Sequence, residues 1–536
     1  MIISIDQNCH SLWDVVPKLH ALTRRGRRVR QFIEDLDMAF ASVGSAVRGA
    51  ELRLARERFF RGGAQDWGAA LFYSEFLGRL PVDIRQWEPL TGMTTKALAA
   101  RLGRSVDQLY DEFSPGDNWQ LIGPSYVGDR EHHRLIGDLA VAEARPFLLE
   151  IMQKARADVL RAFPAESCRR RATEWFDREQ RRLEALLSEC ADGKLVDLYD
   201  RWLKAYLPGE SVTVATASSL FATGSAAAAT DFLDLFLQQY ERAAAAYNEA
   251  IAETHSPLRP LKTSAGELPF FATMTRSGRA VRTGVFLDGE GVRVSGRGYR
   301  LASGRRLPVD ELAAAGVRCL VGKAIVLVIQ IRSGPRGGPL ALPYRGSLYM
   351  PTAHRLADKL SQAGLLTEKL PPVVRVRFGL LDRLKSLDAP VRLPEHLVPA
   401  FGREEIPARE LAANWASLSR EAAERLEALR EETGRRRWQK RNFPQLLESI
   451  EQLDGHRRQL ARTDPKSQEI RLIGKRQKTL QVDLLERTVR QIHRDTQIRE
   501  IDYWDSRGAL MPWAVALGGE KFYDNLIAEA KGTTNG

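Results

Sequence analysis

Apolar positions recur with two different periods along the chain, and the change of period divides it. Through the first half the spacing is three or four residues, which places apolar side chains on one face of a helix. Residues 29–40 and 50–60 read as helices with basic faces, and 145–163, 169–187 and 230–251 show the same period. Residues 95–102 and 106–113 read as two short helices joined at Gly103, with Ser105 and Gln108 in capping-box spacing. Pro257 and Pro260 interrupt the helical pattern and mark a boundary.

Beyond that boundary the pattern changes. Val285-Phe286-Leu287, Asp288-Gly289-Glu290-Gly291 and Val292-Arg293-Val294 read as strand, turn and strand. Residues 324–331, rich in β-branched side chains, read as a buried strand, and 373–378 as another. Residues 307–315 and 352–364 read as helices. Strands interleaved with helices predict an α/β or α+β domain.

From residue 407 the chain is helical and heavily charged. Leu411, Leu418, Leu426 and Leu429 form an apolar stripe, and Asn442-Phe443-Pro444 breaks the helix. Thr463-Asp464-Pro465 reads as a hairpin tip, with Asp464 as N-cap and Pro465 at the first helical position. Ile473, Leu480, Leu484, Val489 and Ile492 line the returning helix at spacings that suit a coiled-coil seam. The expected organisation is a helical domain over 1–130, a second over 131–256, a central α/β domain over 257–402, an antiparallel coiled-coil hairpin over 403–505 and a helical tail over 506–536. The fold class is therefore mainly α with a central α/β domain.

Length and charge refine this picture. At 536 residues the chain holds several structural units. Its net charge of +12 favours acidic partners. Residues 430–500 carry 18 Lys/Arg and 11 Asp/Glu. No run approaches the roughly 20 apolar residues that span a bilayer, and the N-terminus has no signal-peptide pattern. Cys9, Cys168, Cys190 and Cys319 lie too far apart for metal-ligand spacing or a disulfide framework. A reducing, cytoplasmic setting is the expectation.

Several segments carry candidate chemistry. Between a predicted strand and a helix, Arg345, Ser347, Tyr349, Thr352, His354 and Arg355 offer guanidinium, hydroxyl and imidazole groups beside a helix N-terminus. That set suits a small anionic metabolite, since ligands of open α/β sheets bind at strand carboxyl ends. Lys521, Tyr523 and Asp524, after Gly518-Gly519, form a secondary candidate group. The glycines at 334, 337 and 338 match neither the P-loop nor the dinucleotide pattern. His132 and His133 are adjacent, so their side chains diverge on a helix, and no metal site is expected. The helix pair at 94–113 has the outline of a DNA-binding helix-turn-helix, but Asp107, Asp111 and Glu112 would face the phosphates.

The back half, about residues 250–530, resembles the family of cysteine-adding enzymes of bacillithiol biosynthesis. The α/β segment through residue 378, the charged hairpin and Leu485-Glu486-Arg487-Thr488-Val489-Arg490-Gln491-Ile492 leading into 503–529 carry the resemblance. So does the run from Glu267-Leu268-Pro269-Phe270-Phe271 to Gly518-Gly519-Glu520-Lys521-Phe522-Tyr523-Asp524, which also looks like bacterial proteins of similar size. The resemblance implies a Rossmann-like core with helical insertions and a dimerising coiled coil. The front half departs from it, with no T-G-Q-Q-like loop and no acidic E-D-H-D-type strand end recognised, so no family catalytic residue transfers.

Three functional expectations follow. The first is a bacterial, ligase-like enzyme, active or diverged, acting on a small anionic metabolite. The second is a scaffold that homodimerises through the coiled coil. The third is a nucleic-acid binder using arginine-rich helices. The sequence assigns no catalytic residue and no cofactor.

Overall fold

A computed structural model describes residues 1–6, 12–36, 77, 84–113, 135–207, 209, 211–223, 231–254, 256, 258–276, 279–334, 337–344, 349–506 and 510–535. The chain divides into two compact units. The first comprises 1–74, 119–380 and 503–536, and the second 75–118 and 381–502.

The first unit is built on two sheets. The larger has six strands: β1 (Ile2–Asp6), β2 (Val29–Ile33), β3 (Val212–Thr216), β9 (Leu340–Pro343), β10 (Val373–Arg377) and β13 (Lys531–Asn535). Their order is β13-β10-β9-β1-β2-β3. Every neighbouring pair is parallel except β10 and β13. Ile2, Ile3 and Ile5 of β1 and Val373, Val374 and Val376 of β10 are all buried, the near-continuous apolar run of a strand covered on both faces. Trp13, Val16 and Leu19 bury one side of the helix Leu12–Thr23 that follows β1.

The smaller sheet comprises β4 (Glu267–Arg276), β5 (Arg279–Asp288), β6 (Gly291–Val294), β7 (Arg297–Arg300) and β8 (Val317–Gly322), ordered β7-β6-β5-β4-β8 and antiparallel throughout. One face is apolar: Phe270, Ala272, Val285, Val292 and Val294 are buried, and Phe270 meets Phe232 and Phe236 edge-on. The predicted hairpin at 285–294 is present in register, Val285 opposite Val294 and Leu287 opposite Val292.

Three expectations about this unit are corrected. Residues 29–33 form β2 rather than the start of a helix, because the segment finds a parallel partner on each side. Residues 324–330 form the helix Ala324–Gln330, not a strand. A short apolar run does not distinguish a buried strand from a buried helix. Here Lys323 leaves β8 in an extended conformation at the helix start, and the Gln330 side chain reaches back to accept the Gly322 N–H at 2.8 Å. The predicted helix over 230–251 is two helices, Asp231–Gln238 and Tyr240–Glu253. The predicted helix at 50–60, the pair His132-His133, Arg345 and Ser347 lie outside the described residues.

The second unit is helical apart from a two-stranded ribbon, β11 (Pro390–Arg392) paired with β12 (Glu405–Pro407). Helices Ala408–Ala428 and Pro444–Thr463 both pack along the 32-residue helix Gln468–Arg499. Phe443 breaks the helical path and Pro444 opens the next helix, as expected. At the tip the returning helix is capped by Ser467, whose Oγ accepts the Glu469 N–H, rather than by Asp464. The predicted capping box is present: Ser105 Oγ accepts the Gln108 N–H at 3.1 Å and Gln108 Oε1 accepts the Ser105 N–H at 2.8 Å. Among the described residues no helix is long and apolar enough to cross a membrane.

Candidate functional site

The order of the large sheet reverses at β1, which has β2 on one side and β9 on the other. Chain leaving the carboxyl ends of two such strands runs to opposite faces and opens a crevice between them. β1 ends at Asp6 and β9 at Pro343. The helix Met350–Gln362 that follows β9 has Tyr349 at its N-cap and a proline in its first turn. A helix N-terminus there favours negative charge.

Each side of this edge carries its own charge. On one side, β2 runs directly into Glu34 and Asp35, both buried. Asp35 Oδ1 accepts the Ser218 N–H at 2.8 Å, just beyond β3, and the Asp35 carbonyl accepts the Gly137 N–H at 3.0 Å. Glu34 Oε1 accepts the Leu36 N–H at 2.8 Å. Ser218 Oγ lies 3.0 Å from Thr216 Oγ1. Burial pushes the Asp35 carboxyl above the usual carboxylate range, against the opposing hydrogen bonds from Ser218 and the Arg318 charge. Arg282, from β5, donates to the Leu36 carbonyl.

On the other side lie cations. Arg375 and Arg377 of β10 share one face of the strand. Arg375 Nη1 donates to the Pro343 carbonyl at 3.0 Å, and the Arg377 guanidinium sits 4.9 Å from the Tyr344 ring centroid. Past β10, buried Asp505 accepts the Phe378 N–H at 2.7 Å and the Leu380 N–H at 2.8 Å, fixing the turn. The edge thus offers hydrogen-bond acceptors at the β2 end and guanidinium groups at the β10 end.

The sequence-predicted residues fare differently. Thr352 is buried and its Oγ1 lies 2.8 Å from Thr254 Oγ1, while Arg355 pairs with Glu253. Both join their helix to Tyr240–Glu253. Tyr349 packs against the core at the helix start, and His354 is half-buried on the helix. Lys521 and Asp524 are exposed, whereas Tyr523 is buried with its hydroxyl 3.0 Å from His20 Nδ1. These three do not gather, because positions 521, 523 and 524 point in different directions on a helix. His20 Nε2 lies 2.9 Å from the Tyr206 carbonyl. A carbonyl only accepts, so Nε2 carries the proton and Nδ1 receives the Tyr523 O–H. Burial lowers the His20 pKa.

Sequence reasoning missed Glu34, Asp35, Arg375 and Arg377. The signal was present: Val29-Arg30-Gln31-Phe32-Ile33 followed by Glu34-Asp35-Leu36-Asp37 is a strand running into acidic residues.

The second unit holds a cavity of about 530 Å³ lined by Glu112, Phe113, Leu393, Glu395, His396, Val398, Pro399, Glu404, Arg490, His493 and Arg494. Arg490 reaches Glu112 at 2.8 Å and Glu486 at 2.9 Å, and Arg104 pairs with the same two carboxylates. The helix pair at 94–113 therefore uses its acidic end to dock on the long helix. Ring contacts of 5.3 Å between Phe113 and both Trp87 and His493 support the same packing. No family model, no curated protein and no solved structure matches this chain.

Proposed function

We propose that the chain is an enzyme, active or diverged, that binds a small anionic metabolite at the carboxyl edge of a Rossmann-like sheet. The observation that carries this reading is the reversal of strand order at β1, which in open α/β sheets marks the ligand crevice. The guanidinium groups of Arg375 and Arg377 and the start of Met350–Gln362 supply the positive side. Glu34 and Asp35 supply acceptors for hydroxyl or amine groups. The resemblance to the cysteine-adding enzymes suggests a ligase-like reaction in a bacterial cytoplasm. Thermal stabilisation of the full chain by sugar-malates, nucleotides and free cysteine tests it. A concentration-dependent rise in melting temperature with one class supports the reading, and no shift with any of them counts against it.

A second reading is favoured by the distal hairpin. No residue of Pro444–Thr463 is buried, and Leu472 opposite is 63% exposed. Leu446, Ile450, Leu453 and Leu460 recur there at helical spacing. This pattern suits a coiled coil that pairs with a second copy of the chain, and the molecular mass in solution by light scattering decides it.

A further inference from the structure

The smaller sheet has two unlike faces. Strand alternation places Phe270, Ala272, Val285, Val292, Val294 and Tyr299 on the face that packs into the core. The opposite face is covered on its β4–β8 side, where Thr273, Cys319 and Val321 are buried beside Phe271, and is open towards β5, β6 and β7, where it carries Phe286, Arg293 and Arg300. The ladder fixes this: Phe271 lies opposite Gly284, Phe286 opposite Arg293 and Arg293 opposite Gly298.

On that face each aromatic ring is paired with a cation. The Arg282 guanidinium lies 4.2 Å from the Phe271 ring centroid, and the Arg293 guanidinium 4.9 Å from that of Phe286. Phe286 leans over Gly284, where a Cβ would come within 3.0 Å of Cε2, so the ring lies low against the sheet. Gly298, beside Arg293, leaves open space where a side chain would stand. Neither phenylalanine is buried, and Arg300 is 85% exposed.

Charge reinforces the pattern. Residues 279–306 contain seven arginines against Asp288 and Glu290 alone, a denser excess than in the long hairpin. The two carboxylates sit at 3.4 Å from Arg293 and 3.8 Å from Arg300, exposed pairs of little strength. A guanidinium laid over the Phe286 ring on the accessible part of this face, with further arginines around it, matches what an unstacked base and its phosphates require.

We infer that the β5–β7 part of the outer face of the five-stranded sheet binds single-stranded nucleic acid. A base stacks on the Phe286–Arg293 pair, and Arg300 contacts phosphate. This differs from the metabolite site at the edge of the larger sheet and from arginine-rich helices as the binding element.

The test is fluorescence anisotropy of a labelled oligo(dT) of about 12 nucleotides with the full chain. Binding is expected at about 50 mM salt, falling with a log–log slope of about −2 as salt rises. Arg300→Glu, at an exposed position whose folding is checked by circular dichroism, should weaken binding roughly tenfold. Phe286→Leu keeps every charge and should weaken it several-fold through lost stacking. Arg457→Glu with Arg458→Glu, on the distal hairpin, should leave it unchanged. Absence of binding at low salt, loss confined to the hairpin variant, or equal affinity of Phe286→Leu and the parent each overturns the inference.

Discussion

Asp35 Oδ1 accepts the Ser218 N–H at 2.8 Å, so the carboxylate that ends β2 is fastened to the chain leaving β3. One buried acid thereby joins two adjacent strand ends at the edge where a ligand is proposed to bind. Because burial raises its pKa, ionising this carboxyl costs more in the folded chain than in the unfolded one. Its contribution to stability is present in full below the ordinary carboxylate value and is lost as pH rises through the folded value. Asp35→Asn, which keeps an acceptor for Ser218, should therefore melt at or above the parent temperature at neutral pH. It should also lose ligand-induced stabilisation. Melting curves with and without ligand check both.

His20 gives the opposite slope. Its folded pKa is depressed by burial, so the neutral ring that bridges Tyr523 and Tyr206 stabilises the fold above the unfolded value near 6.5 and less as pH falls below it. Glu267 adds a second step at lower pH. Burial opposes its ionisation, but hydrogen bonds from Arg259 and Lys323 outweigh it and hold the carboxyl at about 2. Stability should therefore decline below pH 6.5 and again below the usual glutamate range. His20→Gln should flatten the first decline and leave the second, as read from melting temperature against pH.

Asp495 is fully buried on the long helix and pairs with Arg425 of Ala408–Ala428 at 2.9 Å. Removing Asp495 takes away the buried partner of Arg425 and leaves it only Glu421, one turn away at 3.8 Å. Asp495→Ala should cost about 3 kcal/mol in chemical denaturation. Exposed Arg436→Ala, whose partner Glu432 lies one turn away, should cost less than about 0.5 kcal/mol.

Gly518 and Gly519 allow a kink inside Leu510–Glu529. Gly519 adopts φ 79 and ψ −179, a region reserved for glycine, and a Cβ on Gly518 would lie 2.5 Å from Phe522 Cβ. Arg171 donates to the Ala516 and Leu517 carbonyls beside the kink. Gly519→Ala should destabilise the chain by about 1–3 kcal/mol. Arg171→Ala, which leaves those carbonyls without their donor, should destabilise it in the same direction.

How much of this was legible in the sequence depended on how local the cause was. The capping box at Ser105 and Gln108, the Phe443-Pro444 break and the 285–294 hairpin are set by neighbouring residues, and they stand as read. The strand at 29–33 has a polar residue at Arg30 and Gln31, and only its partners β1 and β3, one of them 180 residues away, make it a strand. The helix Ala324–Gln330 and the strand read there differ by a turn that Gln330 closes with Gly322. The segment after Pro343 was placed behind a strand read at 324–331, which is a helix, and β9 itself, at Leu340–Pro343, was not read. Nor was the placement of Glu34 and Asp35 after β2, and of Arg375 and Arg377 on β10, in one sheet, since it comes from the order of strands far apart in the chain.

Hydrogen exchange of the full chain with a stabilising metabolite tests the central claim most directly. Slowed exchange in the peptides covering 32–36, 340–344 and 373–378, with the hairpin unchanged, is the result expected. Protection elsewhere, with those three segments exchanging as in the free protein, would contradict a site at the carboxyl edge of the sheet.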